Sequence, residues 1–244
     1  MEKVALAAIE DGRFDVMLFV YNFLQREQGA KILKACNDKG VGATLMKTNP
    51  VLNYLEMKEN ADKAAAEGRE ASPRMTDLLT RLKDRADASE AFIKEYGLAD
   101  FNQIRDAAVK FVLSNPHVNS ACLTIKNFED LEFYVGLSGQ RFADADEAKL
   151  SVYAKARGQF YCRHACGECE SQCPHGVPVN TIMRYQHYFK AQGREKTAMV
   201  KYAALPAQKA DKCWGCSGSC ERACPHGVPI QGLLTIAHQT LTLV

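Results

Sequence analysis

Eight of the ten cysteines in this chain fall in two short stretches. The first, "CRHACGECESQCPHGVP", begins at Cys162, and the second, "CWGCSGSCERACPHGVP", begins at Cys213. Cys162, Cys169 and Cys173 recur 51 residues later as Cys213, Cys220 and Cys224, whereas Cys166 recurs as Cys216 after 50. Thiols this dense can form disulfides, hold zinc or hold iron–sulfur clusters. Disulfides need an oxidising compartment and usually a small secreted domain, and the sequence signals neither. Zinc would accept two four-cysteine sites, but its ligands usually come from CxxC knuckles on separate turns. A 4Fe–4S cube needs four thiolates around a compact object, three from a tight loop and one from farther away. Both stretches end in C-x3-C-P, as does the bacterial ferredoxin run C-x2-C-x2-C-x3-C-P. The spacing therefore favours two 4Fe–4S clusters, with zinc as the alternative.

In the ferredoxin pattern the fourth cysteine of each run binds the other cluster. The same crossing assigns Cys162, Cys166, Cys169 and Cys224 to one site, and Cys213, Cys216, Cys220 and Cys173 to the other. Each stretch carries one residue more than the bacterial spacing, at a different place, which predicts a bulge and no lost ligand. His175 and His226 follow Cys-Pro, where they could donate to cluster sulfide or simply fill the loop. His164 has no ligand role to fill once four cysteines serve each site. Gly167, Gly215 and Gly218 are expected to let the backbone approach closely.

The elements that must carry these stretches differ along the chain. "EKVALAAIED" reads as a helix ended by Gly12, and "FDVMLFVY" (14–21) as a buried parallel strand. "GAKILKACNDKG" is an amphipathic helix, and "VGATLMK" (41–47) a second strand. The charged stretch 53–97 reads as solvated helix. "FNQIRDAAVKFVLSN" is a further helix broken before Pro116, followed by a third strand "VNSACLTI" (118–125) and the helix "FEDLEFYVGL". Helices alternating with short apolar strands predict right-handed βαβ units and a parallel sheet, its strands side by side in chain order. Beyond about residue 139 the strand pattern stops. "NTIMRYQHYFKAQGREKTAMVKYAAL" joins the two cysteine stretches as one or two helices, and "IQGLLTIAHQTL" is a last one. The expected domains are 1–139, with a helical insert at 51–99, and 140–244.

Composition narrows the function. A formal charge of +2 gives no electrostatic case for nucleic acid or an acidic membrane surface. The longest apolar run, Val16 to Tyr21, is too short to span a bilayer. The opening "EKVALAAIEDG" is amphipathic and lacks the charged-then-apolar order of a signal peptide. A cytoplasmic location is expected, export after folding requiring a signal ahead of Met1. Cys36 and Cys122 sit alone in apolar segments, where free cysteine packs as a small hydrophobe.

With these residues set out, the chain resembles the aldo/keto reductase family, in the branch with a C-terminal ferredoxin-like extension. The matching phrases are "AIEDGRFDVMLFVYNFL", "GVGATLMK", "AAVKFVLSNPHVNSACLTIKNFEDLE" and the two cysteine stretches. The resemblance implies an α/β fold: the last three parallel strands of a (β/α)8 TIM barrel, then a mainly α-helical ferredoxin-like domain with two 4Fe–4S clusters. It places Tyr21 and Asn22 near a nicotinamide, Lys47 and Thr48 near a pyrophosphate, and Lys126 and Asn127 near an adenine ribose phosphate. All six fall at strand ends, where such barrels build their sites. The family's Asp, Tyr, Lys and His tetrad lies on strands this chain does not contain, and Leu123, Thr124 and Tyr134 stand where the family favours close nucleotide contact. The resemblance thus implies an iron–sulfur oxidoreductase in a longer parent, acting on a carbonyl/alcohol couple with NAD(P) and passing electrons to or from a partner protein. The other reading is a non-enzymatic electron-transfer module on a barrel remnant.

Overall fold

The computed structural model describes residues 1–51, 102–125, 127–158, 161–206 and 208–242, together with Asp62, 65–68, 91, 92 and 94–97. Most of the charged stretch 53–97, expected to be helical, lies outside the described residues. The chain forms two compact units, Met1–Asn53 with Ile93–Ala156, and Arg157–Val244 with Tyr54–Phe92.

The first unit is a small α/β layer. Strands β1 (Val16–Val20), β2 (Gly42–Met46) and β3 (Ser120–Ala121) form one sheet in that order. Both pairings are parallel, with Leu18 opposite Thr44 and Thr44 opposite Ser120. The expected order and direction hold. The third strand does not reach its expected length of 118–125: Cys122 N–H still donates to the Leu45 carbonyl at 2.7 Å, and pairing then ends. Cys122 lies beyond that edge and is exposed, whereas Cys36 is buried as expected.

Helices α1 (Glu2–Asp11) and α2 (Arg26–Lys39) close on left-handed Gly12 and Gly40, where a side chain would be strained. Helix α2 buries Gly29, Ile32, Leu33 and Cys36, the i, i+3, i+4, i+7 stripe of a core-facing helix. A Cβ at Gly29 would stand 2.3 Å from Tyr21 Cδ2, so the glycine sets how closely α2 approaches the end of β1. Helix α3 (Asn102–Leu113) carries charged residues but buries Ile104 and the run from Ala107 to Val112, Lys110 included.

Period-two alternation divides the sheet. Phe19, Ala43 and Leu45 are buried on one face, while Val16 and Leu18 on the other are 58% and 55% exposed. On that open face Val20 is buried, and Gly42, Thr44 and Met46 are half-buried. A parallel sheet normally has both faces covered, so an apolar row is left facing water.

Helices α4 (Phe128–Gly136) and α5 (Asp144–Arg157) complete this unit. The expected boundary at 139/140 therefore moves to 156/157. Helix α5 belongs with the sheet because Arg26 makes a two-pronged ion pair with Glu147, at 2.8 and 3.0 Å. Lys110 also bonds Asp146 at 2.9 Å, and Tyr153 packs edge-on against Phe23.

The second unit is helical among its described residues. Helices α6 (Val179–Gln192) and α7 (Glu195–Ala203) are split at left-handed Gly193, which settles the connection as two helices. A short α8 (Ser219–Arg222) and the longer α9 (Ile230–Leu241) follow, with 3₁₀ turns at Glu170–Gln172 and Ala210–Cys213. Helix α9 buries Ile230, Leu234, Ala237 and Leu241, one continuous stripe. Its core joins Val177, Val179, Ile182, Ala198 and Tyr202. Cys169, Cys213 and Cys220 lie in the same core, so the thiols are part of the packing and not attached to its surface.

Candidate metal centre

The two cysteine stretches fold as two copies of one structural sentence. Gly167 and Gly218, 51 positions apart, are both left-handed, at φ 73° and 70°. Gly176 and Gly227 repeat the relation at 62° and 61°. The extra residue of the first stretch is absorbed near Ala165, a non-glycine residue with φ 52°. A left-handed alanine is strained, and its N–H is held by the Asn180 side-chain oxygen at 2.9 Å.

The chain path then crosses the thiols. One cavity is lined by Cys162, Cys166, Cys169 and Cys224, with Val179, Val228 and Ile230 as apolar wall. Cys224 comes from the second stretch and stands with three cysteines of the first. Cys173 in turn lies within electrostatic range of Cys213 and Cys220, which also feel Cys216. Cys169 and Cys220 feel each other, so the two sets are neighbours.

These groups are costly to ionise by themselves. Burial, with repulsion from neighbouring thiolates, pushes Cys162 up to about 11 and Cys169 and Cys213 up to about 12. Burial likewise raises Cys166 and Cys220. A metal centre reverses both penalties, since its positive charge takes the place of the protons, and loading releases them. Among the described residues, no group of three or more His, Cys, Asp or Glu stands close enough to hold a single metal ion. Four thiols in each set are the donor number that a 4Fe–4S cube or a tetrahedral zinc ion takes.

Polar groups behind the cysteines repeat as well. The Asn180 side-chain N–H2 donates to Cys162 Sγ at 3.4 Å and to the Arg163 carbonyl at 2.6 Å. Its counterpart Gln231 donates to the Cys213 and Cys216 carbonyls at 3.0 and 2.6 Å. Val177 N–H donates to Cys173 Sγ at 3.4 Å. Arg163 is buried and bonds the Gly158 and Tyr161 carbonyls. Sequence reading missed Asn180, Gln231, Glu170, Glu221 and Arg163. The 51-residue offset that paired the cysteines also pairs Glu170 with Glu221 and Asn180 with Gln231, and was the available signal. Of the histidines, His226 is half-buried and lines the cavity, while His175 is exposed.

The strand-end residues are engaged in the fold. Asn22 is fully buried, donates to the Lys47 carbonyl at 2.9 Å and accepts from Leu24 N–H at 3.0 Å. Tyr21 is buried against Phe111, and its hydroxyl accepts from Asn115 at 3.3 Å. Thr48 is buried, and Lys47 holds a left-handed backbone. Asn127 caps α4 by accepting from Asp130 N–H at 2.8 Å. Lys126 lies outside the described residues.

Comparison with protein-family models, curated proteins and solved structures gives no match for this chain. The likeness to aldo/keto reductases therefore rests on the quoted phrases. No helix among the described residues is long and apolar enough to cross a membrane.

Proposed function

We propose that the chain is an iron–sulfur protein that holds two 4Fe–4S clusters and passes single electrons to or from a partner protein in the cytoplasm. The observation that carries this reading is the crossing: Cys224 stands with Cys162, Cys166 and Cys169, and Cys173 with the second set. Crossed fourth ligands are the signature of two-cluster ferredoxins. Bound clusters would supply one-electron redox chemistry at two adjacent points. The chain's own residues do the rest. Eight thiolates hold, Asn180 and Val177 donate to sulfur, and Val179, Val228 and Ile230 keep water from the first site. Anaerobic reconstitution should give about eight iron and eight sulfide per chain, with broad absorption near 400 nm. Two zinc ions per chain and no visible absorption would replace this reading with the zinc alternative.

The finer assignment belongs to the same proposal. The three parallel strands represent the end of a (β/α)8 barrel of the aldo/keto reductase type, and the second unit its ferredoxin-like extension. In a longer parent, the barrel would act on a carbonyl/alcohol couple with NAD(P). For the chain itself the electron-transfer module is favoured, because Tyr21, Asn22 and Thr48 are buried and committed to the fold. Fluorescence titration with NADPH should show no saturable binding, and tight binding would restore the enzymatic reading.

A further inference from the structure

Resting on the two-cluster reading, we propose that Tyr202 is a positioning residue of the second site alone, the one with Cys213, Cys216, Cys220 and Cys173: its hydroxyl, held by His238, carries the turn that delivers Cys213. The turn is the 3₁₀ segment Ala210–Cys213, and Cys213 is its last residue. Its own flank gives no support, since Lys209 in the N-cap position makes no side-chain bond to it. The Ala210 N–H donates instead to Tyr202 Oη at 3.0 Å, eight residues back along the chain. Ala210 is 1% exposed and Tyr202 2%, so this bond is shut off from water. Tyr202 is itself held. Its hydroxyl lies 2.7 Å from His238 Nδ1, and the two rings meet edge-on at 5.9 Å. A backbone N–H can only donate, so the phenol oxygen accepts from Ala210 and keeps its own proton for His238. Burial pushes the phenol up, which keeps that proton in place.

One oxygen thus joins three elements: α7 through Tyr202, α9 through His238, and the turn through Ala210. Gln231 holds the far side of the same cysteine by donating to the Cys213 carbonyl at 3.0 Å. Cys213 is therefore located from both directions along the chain. The duplication of the cysteine stretches does not extend to this anchor. The position 51 before Tyr202 is Ser151, whose hydroxyl bonds Glu147 within α5 of the first unit. The first stretch is held in another way, by Asn180 acting on Cys162 Sγ and the Ala165 N–H. Without the Tyr202 hydroxyl, the Ala210 N–H would be buried with no acceptor. That cost is about 1–3 kcal/mol for a buried polar group. The turn escapes it only by moving, and Cys213 moves with the turn. A displaced ligand weakens the hold on the metal.

The test uses the full chain. Iron and sulfide content is measured first. Two zinc ions per chain would overturn the two-cluster reading alone, and the positioning would then be read from zinc release in the same variants. In the loaded protein, Tyr202→Phe keeps the ring and removes the hydroxyl. Metal release to a chelator should become biphasic, with one half about tenfold faster than in the parent. The fast half should be the one missing from Cys213→Ala. In paramagnetic resonance of the reduced chain, the signal lost in Cys213→Ala should change shape in Tyr202→Phe, while the other signal stays as in the parent. A general loosening of the fold would speed both halves. That outcome, no change in either half, or a faster first site overturns the proposal while leaving the clusters established. Should Tyr202→Phe not retain its metal, His238→Phe leaves Ala210 its acceptor and takes away only what holds the hydroxyl. It must speed the same half, to a smaller extent; an unchanged or uniform rate overturns the proposal.

Discussion

Glu170 accepts the backbone N–H of Asn180 at 2.8 Å, and so caps from a cysteine loop the helix that begins at Val179. That helix has no side-chain cap of its own, since its N-cap is Pro178. Glu221 does the same for Gln231 at 2.9 Å in α9, whose N-cap is Pro229. A carboxylate at a helix N-terminus satisfies an orphan donor and meets the positive end of the dipole. The pair also fixes the loop, because Asn180, once placed, reaches back to Cys162, Arg163 and Ala165.

Replacing Asn180 with Ala should therefore loosen the first site and spare the second. It removes the donor to Cys162 and the acceptor that holds left-handed Ala165. Losing a hydrogen bond that holds a metal ligand in place costs about 10–100-fold in metal affinity. Iron release to a chelator should become biphasic, with a fast half belonging to the first site. A single uniform rate equal to that of the parent would contradict the role given to Asn180.

Cys173→Ala should damage the site of Cys213, Cys216 and Cys220, not the one formed by its neighbours in sequence. The grouping of Cys173 with Cys213 and Cys220 is the reason. Mössbauer or paramagnetic resonance spectra of the variant, compared with those of Cys213→Ala, provide the check. The two variants should lose the same signal, and loss of different signals would show that the thiols do not cross.

Lys110 ties α3 to α5 between Asp106, at 3.0 Å, and Asp146, at 2.9 Å. Burial alone would lower its ammonium, but the hydrogen bonds to the two carboxylates outweigh that, and its affinity for the proton is raised. A raised folded value means the stabilisation is complete below the ordinary lysine range, about 10.4. It is lost as pH rises through the higher folded value. Thermal unfolding of the first unit should hold steady to about pH 10 and fall above it. Lys110→Met should remove that alkaline fall and cost about 3 kcal/mol at neutral pH, by leaving buried Asp146 with only the more distant Lys149, at 3.9 Å, among its described cations.

The uncovered row of Val16 and Leu18 should make the chain associate, since exposed apolar sheet surface does so. Sedimentation of the parent should show species heavier than a monomer. Val16→Thr with Leu18→Thr should shift the distribution toward the monomer, with β propensity kept by the branched side chains. A parent that sediments as a single monomeric species would show that the row is harmless in solution.

Helices α1 and α2 were legible because their apolar spacing and their glycine ends agree with the packing, and α9 by its apolar spacing alone. Strand β3 was only partly so. "VNSACLTI" has strand composition throughout, yet pairing stops once Leu45 has used its carbonyl on Cys122, a limit set by the partner strand and invisible in the segment itself. The same limit explains why Cys122 is exposed although its neighbours are apolar. At the candidate metal centre, spacing revealed the cysteines, while Asn180 read only as an ordinary residue in the first turn of a helix. Its importance comes from the loop that folds back over it.

The crossed thiols also bear on how the molecule is made. Synthesis runs from Cys162 onward, and the first set has only three members until Cys224 emerges, 51 residues after Cys173. Cys173, although made early, has no set to join until Cys213 to Cys220 follow. On the two-cluster proposal neither site would be filled in the order of translation, and maturation would be a single late event that closes both halves together. Before it, the four thiols of the first stretch would stand open to oxidation. After it, the segment joining the halves through Gly193 could be cut without letting them part, because each half is shackled to the other through its last cysteine.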